Sequence, residues 1–299
     1  MFKNVLIIGC GLIGSSLLKG INKQKISKNI SIFDTSKENR LIIKKIRYKT
    51  NFIKKIDKNI SRMDLIILST PMSQYKTILN KLSKFVSKNT LITDVGSTKL
   101  NIESIIKKNS RINKMFVLSH PIAGSEVSGP YYGNANLFKN KWCIIIKNNY
   151  KNNQKKIINF WKKLGSKIVL MNAKEHDKIF SITSHLPHLI AYNLIKTAID
   201  FQKKEKKNII KYSAGGLRDF SRTAASNEIM WRDIFFSNKI NIIRSIDLFI
   251  KNLKNFKTNI KNEKNKDLIK ILVNSKKVRK QIIYLKQDIA EPNFGRGNS

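Results

Sequence analysis

The chain has 299 residues, with 59 Lys and Arg against 19 Asp and Glu and a formal net charge of +40. The charge is even, a net +20 in each of residues 1–150 and 151–299, and it is mostly lysine without interleaved aromatics, so it describes solvated faces rather than a nucleic-acid module. A hydrophobic content of 41% with 15 Phe excludes a disordered polycation, and no apolar run approaches the roughly 18 residues of a membrane span.

In chain order, Val5-Leu6-Ile7-Ile8 reads as a strand buried on both faces. With Lys3 before it and Ile7-Ile8-Gly9-Cys10 after, the stretch imitates a signal peptide or lipoprotein site. The apolar run before Gly9 is shorter than the roughly 7–15 residues such a segment needs. Gly9-Cys10-Gly11-Leu12-Ile13-Gly14 is a G-x-G-x-x-G, followed by a helical pattern through Leu17, Leu18 and Ile21. A second strand, Ile30-Ser31-Ile32-Phe33, ends on Asp34, 20 residues past Gly14. Gly9 permits the tight turn, Gly11 admits a pyrophosphate, and Gly14 lets helix and strand pack closely. The helix start at Leu12, Ile13 and Gly14 offers N–H groups to phosphates. Asp34 can accept from the adenosine ribose hydroxyls and repels a 2′-phosphate, which favours NAD over NADP.

The alternation continues with a strand over 64–68 that reaches Thr70-Pro71, a helix over 73–86 and a strand over 90–94. A helix runs to about Lys108, with a strand at 115–119, another at 142–146, a helix near 153–164 and a strand at 167–170. This predicts an α/β Rossmann-type dinucleotide-binding domain over residues 1–172. Thr70-Pro71, residues 94–99 and residues 119–126 fall at carboxyl ends of strands, where such sheets bind ligands. Beyond residue 172 the pattern turns helical. Residues 173–201 (interrupted by Pro187), 208–213, 223–260 and 265–287 read as helices of an all-α domain over 173–299, with a polar, lysine-rich break from Phe201 to Lys207. The apolar faces of this half exceed what one small bundle needs. Cys10 and Cys143 lie far apart, which excludes a disulfide framework or a zinc spacing and fits a reducing, cytoplasmic setting. No metal site is expected.

Four motifs narrow the reading. They are Asp94-Val95-Gly96-Ser97-Thr98-Lys99 and His120-Pro121-Ile122-Ala123-Gly124-Ser125-Glu126-Val127-Ser128-Gly129, then His176-Asp177 with Ser184-His185-Leu186-Pro187-His188, then Gly215-Gly216-Leu217-Arg218-Asp219-Phe220-Ser221-Arg222 with Trp231 nine residues on. In this order they resemble the prephenate and arogenate (cyclohexadienyl) dehydrogenase family. Ala290-Glu291-Pro292-Asn293-Phe294-Gly295-Arg296 is similar to the ending of some bacterial members. The resemblance implies an oxidative decarboxylation in which hydride leaves the carbon bearing the ring hydroxyl, the ring carboxylate departs as carbon dioxide, and the ring becomes aromatic. It leaves prephenate and arogenate open as substrates. It also implies a homodimer formed by the helical domain. From the chain length, which lacks the extra roughly 70 residues a small regulatory domain would need, no regulatory or chorismate-mutase domain is expected.

The same resemblance assigns roles. His120 takes the ring hydroxyl's proton, as an imidazole near its pKa can. Ser97 hydrogen-bonds the hydroxyl, His120 or the nicotinamide; as the residue directly before a helix it is also an N-cap candidate, and the two roles are compatible. Arg222 clamps a substrate carboxylate through its planar fork, and His188 meets the substrate side chain. Ser125, Glu126, Asp219 and Trp231 support the substrate pocket or bridge subunits. Asp177 and Ser184, seven apart, share a helix face and order the pocket together. Arg218 departs from the family's usual residue. A β-hydroxyacid dehydrogenase of similar layout would use a lysine in the helical domain and lack the loop at 120–129.

Overall fold

The structure is a computed structural model and describes residues 2–46 and 48–287. The motif at 290–296 lies outside the described residues. The described residues fall into two compact units, those within residues 1–185 and 225–239, and those within residues 186–224 and 240–299.

The first unit is built on β1 (Phe2–Ile8), α1 (Leu12–Lys23), β2 (Ser27–Phe33), α2 (Lys37–Lys45), β3 (Asn51–Phe52), β4 (Leu65–Leu68), α3 (Tyr75–Phe85), β5 (Leu91–Asp94), α4 (Leu100–Lys107), α5 (Ser110–Met115) and β6 (Phe116–Val117). The six strands form one parallel sheet in the order β3-β2-β1-β4-β5-β6. This is the doubly wound order, with its switch between β1 and β4, so the loops after those two strands flank the crevice. Apolar side chains cover both faces. Val5, Ile7, Leu65 and Ile67 pack with Leu17, Leu18 and Ile21 of α1, while Leu6, Ile8, Ile66 and Leu68 pack against Leu79 and Leu82 of α3. That explains why β1 and β4 read as continuous apolar runs.

A second, three-stranded sheet follows: β7 (Ser119–Pro121), β8 (Trp142–Ile146) and, after α6 (Lys151–Lys163), β9 (Lys167–Met171), in the order β7-β8-β9. β7 is antiparallel to β8, and β8 is parallel to β9. The sequence reads residues 115–119 as one strand continuing one pattern. The chain instead leaves the large sheet after Val117 and joins the small one at Ser119, which places His120 inside a strand, opposite Ile144.

Helix α7 (Ala173–Phe180) and a π-turn (Ser181–His185) complete the main part of this unit. The second unit contains α8 (Leu186–Glu205), α9 (Gly215–Ala224), most of α11 (Lys239–Lys261) and α12 (Asn265–Tyr284), while α10 (Glu228–Ser237) belongs to the first. The single helix expected at 223–260 is therefore broken at 225–227 and 238. Asn227 caps α10 by accepting from the Met230 N–H, which starts a new helix there. The polar break begins later than its composition suggests, because α8 runs on to Glu205. Asp233 of α10 accepts from the Ser73 N–H at 2.9 Å, and the Ser237 hydroxyl lies 2.7 Å from that of Thr98, so α10 is fastened to the sheet's carboxyl-end loops.

Candidate active site

The glycine turn assigns each glycine a separate job. Gly9 has φ +88°, and a Cβ there would stand 2.4 Å from the Ser69 carbonyl oxygen. A Cβ on Gly14 would stand 2.1 Å from the Gly9 carbonyl oxygen, so only glycine lets α1 start this close to β1. Gly11, the N-cap of α1, opens onto empty space, and no side chain caps the helix. The N-terminal N–H groups of α1, around Leu12 and Ile13, are thus left to an anion. The Thr70 hydroxyl beside them is buried with no hydrogen-bond partner, and Pro71 is exposed next to it. An orphaned hydroxyl beside an uncapped helix start fits a nucleotide.

Asp34 ends β2 with its carboxylate held. Oδ2 accepts from the Cys10 N–H at 2.7 Å and from Asn39 Nδ2 at 3.2 Å, and Oδ1 accepts from the Ser36 N–H at 2.8 Å. It is only half-buried, so lone pairs remain for a ribose. Arg40 donates to the Asp34 carbonyl oxygen at 2.6 Å. The Cys10 and Cys143 thiols are buried, and burial, the larger cause, pushes both pKa values up, which makes them poor nucleophiles.

The second cluster surrounds His120. Its Nδ1 lies 2.8 Å from His176 Nε2, and His176 Nδ1 lies 2.8 Å from Asp177 Oδ1. Phe180, one turn along α7 from His176, closes on both rings at centroid distances of 5.1 Å and 4.5 Å. Beneath them Lys99 and Asp94 form a fully buried ion pair at 2.6 Å. Lys99 Nζ also donates to the Ser119 carbonyl oxygen at 2.6 Å. Asp94 further accepts from the Gly96 and Ser119 N–H groups, each at 3.0 Å, and from the Tyr75 hydroxyl at 3.4 Å. A buried pair this fully hydrogen-bonded can hold its charges out of water. Burial, then the nearby His176, Lys99 and His185, holds the His120 pKa well below its ordinary 6.5. Burial likewise lowers His176, although Asp177 opposes it.

Ser97 is half-buried, but it does not cap α4. The N-cap position is Lys99, and the capping oxygens come from Asp177, whose Oδ1 and Oδ2 accept from the Lys99 and Leu100 N–H groups at 2.8 and 3.0 Å. Asp177 is turned toward α4, and Ser184 lies in the π-turn. Trp231 is buried on α10, its ring 6.2 Å from that of His185, and Asn238 Nδ2 lies 3.1 Å from His185 Nδ1. Ser125 donates to Glu126 at 2.9 Å on the exposed stretch after β7.

His188, Asp219 and Arg222 lie in the second unit, His188 half-buried on α8, Asp219 and Arg222 exposed on α9. The sequence quoted His176 only as part of a motif and gave Lys99 and Phe180 no role. The adjacent His176-Asp177 was the local signal. The Lys99–Asp94 pair had a weaker one, two opposite charges five apart in a motif that otherwise carries none.

Comparison with known proteins covers most of the chain. The family described as prephenate dehydrogenase, nucleotide-binding domain, matches residues 19–170, and the prephenate dehydrogenase dimerization domain matches residues 172–274. The cyclohexadienyl dehydrogenase of Zymomonas mobilis is 33% identical over 93% of this chain and 96% of its own. The prephenate dehydrogenase of Bacillus subtilis is 30% identical over 98% of this chain and 80% of its own. A crystal structure of the Aquifex aeolicus prephenate dehydrogenase in complex with hydroxyphenyl propionate and NAD+ superposes with a TM-score of 0.86 at 33% identity, covering 94% of this chain and 99% of that one. The Synechocystis arogenate dehydrogenase shares the fold, with a TM-score of 0.72 at 22% identity. With both domains matched in order and relatives aligned over almost the whole length, the chain belongs to the prephenate dehydrogenase family, oxidoreductases with a nucleotide-binding and a dimerization domain.

Proposed function

We propose that the protein oxidatively decarboxylates prephenate to 4-hydroxyphenylpyruvate, with NAD as hydride acceptor. The observation that carries this reading is His120: a buried imidazole held neutral, its Nδ1 engaged by His176 and its Nε2 without a partner among the described residues. A neutral imidazole with one bare nitrogen is a base for a hydroxyl proton. That proton passes from the ring oxygen to His120 as the C–H electron pair leaves. It returns to the oxygen once loss of carbon dioxide has made the ring aromatic, so none is consumed overall. Ser97 is assigned to hydrogen-bond the hydroxyl, His120 or the nicotinamide on the strength of the motif resemblance.

The residues that would hold the dinucleotide are Gly9, Gly11, the α1 start at Leu12, Ile13 and Gly14, Asp34, Thr70 and Pro71. When bound, NAD supplies the carbon centre that receives the hydride. The half-buried Asp34 carboxylate favours a ribose with free hydroxyls, so NADP is the poorer cofactor. Arg222 offers a guanidinium to a substrate carboxylate and His188 a ring to its side chain, on the strength of the motif resemblance. Ser125, Glu126, Ser184, Asp219 and Trp231 are assigned to pocket support on the same ground.

A homodimer through the helical unit is supported by its surface. Ile243, Leu248, Leu253, Ile269, Leu272 and Val278 are each about half exposed or more in the single chain. No helix among the described residues is long and apolar enough to cross a membrane, and two free thiols fit the cytoplasm. Arogenate is the second reading, favoured by the cyclohexadienyl dehydrogenase relative. A steady-state assay of both substrates with both cofactors tests the proposal. Turnover of prephenate with NAD at a higher kcat/KM than any other pair supports it. No turnover of prephenate with either cofactor overturns it.

A further inference from the structure

The direction of every hydrogen bond behind His120 can be read from one end. Backbone N–H groups only donate, so Lys99 N–H and Leu100 N–H make both Asp177 oxygens acceptors. Asp177 Oδ1, 2.8 Å from His176 Nδ1, therefore accepts there too, and the His176 proton sits on Nδ1. That leaves Nε2 of the neutral His176 as a bare acceptor, and the group 2.8 Å away is His120 Nδ1. His120 must then carry its proton on Nδ1. All three side chains are nine-tenths buried or more, so water does not offer substitute partners. The tautomer of one imidazole is set by the bond its other nitrogen makes.

We infer that His176 and Asp177 are positioning residues that lock His120 in the Nδ1–H tautomer and so keep Nε2 bare to accept the substrate's hydroxyl proton. The inference rests on His120 being the base in the proposed function. The capping of α4 gives the lock its anchor: the same carboxylate that ends the chain of bonds is fixed by the helix start next to Ser97. Phe180 packs against both rings. When His120 takes the proton at Nε2, its Nδ1–H still donates to His176, and His176 still donates to Asp177. No proton needs to travel to the carboxylate, whose negative charge faces the new imidazolium through one ring.

The test is ¹⁵N NMR of the histidine side chains in the full-length, unliganded wild-type protein at pH 7.5, assigned with single substitutions of the four histidines. The expected result is protonated Nδ1 and unprotonated Nε2 on both His120 and His176. A protonated Nε2 on His120 overturns the inference. Kinetics give a second readout. In His176→Gln the amide oxygen can accept from His120 Nδ1, whereas His176→Leu has no acceptor. The leucine variant is expected to lose about 10²-fold in kcat with little change in KM, and the glutamine variant to recover most of it. Equal rates for the two overturn the lock. Because the NMR measurement needs no turnover, a wild-type protein inactive on prephenate counts against the proposed function and leaves the tautomer result standing.

Discussion

The glycine turn at residues 9–14 and the His120 site both sit in the first unit, and they reach their geometry by different routes. The turn is made by backbone over six consecutive residues: a positive φ at Gly9, contact of Gly14 with the Gly9 carbonyl, and open space over Gly11. The His120 site is made by side chains from distant segments. His176 comes from 56 residues away, and Asp177 caps a helix 77 residues back. Backbone geometry is tolerant of everything except a side chain in the wrong place. A buried chain of hydrogen bonds is sensitive to each of its members.

Four changes sharpen or break that contrast. Lys99→Met strips the cation from the buried pair and leaves Asp94 uncompensated; the expected loss is about 3–5 kcal/mol of unfolding free energy, read by denaturant titration. A loss below 1 kcal/mol would show that the pair is not part of the framework under His120. Gly14→Ala places a methyl where the Gly9 carbonyl oxygen is 2.1 Å away, and about 1–3 kcal/mol should be lost together with NADH binding. Unaltered NADH affinity would contradict the role of the turn. Acid acts on the other region. The His120 and His176 pKa values lie below their unfolded 6.5, so below that pH the unfolded chain binds more protons. The contribution of the two histidines should be flat above about pH 6.5, and stability should fall as pH drops from there toward the folded values, by up to about 1.4 kcal/mol per pH unit for each histidine. Asp34→Asn should give the smallest effect, a several-fold shift of cofactor preference toward NADP in kcat/KM, with stability nearly unchanged. An unshifted preference would remove Asp34 from cofactor discrimination.

The same contrast explains what the sequence made legible. Gly9, Gly11, Gly14 and Asp34 announce themselves because their function depends on spacing along one strand–turn–helix. The strands of the large sheet are legible because burial on both faces writes them as apolar runs. The sheet switch at Leu118 is not, since Phe116, Val117 and Leu118 run on as one apolar stretch and only pairing with β8 tells the two strands apart. Nor is the cap of α4: Ser97 has the right chemistry two residues too early, and the actual acceptor arrives from α7. The break between α9 and α10 could have been read from Asn227, whose capping oxygen starts the new helix. The motif residues His188, Asp219 and Arg222 are recognisable by resemblance alone, and their helices carry no local feature that declares a role.

Measuring NADH affinity and prephenate turnover side by side on His120→Asn tests most directly that the turn binds and His120 does the chemistry. The account predicts unchanged NADH affinity and a kcat reduced by about 10²–10⁴-fold. Full turnover with intact binding would contradict it, because the proton would then have another acceptor.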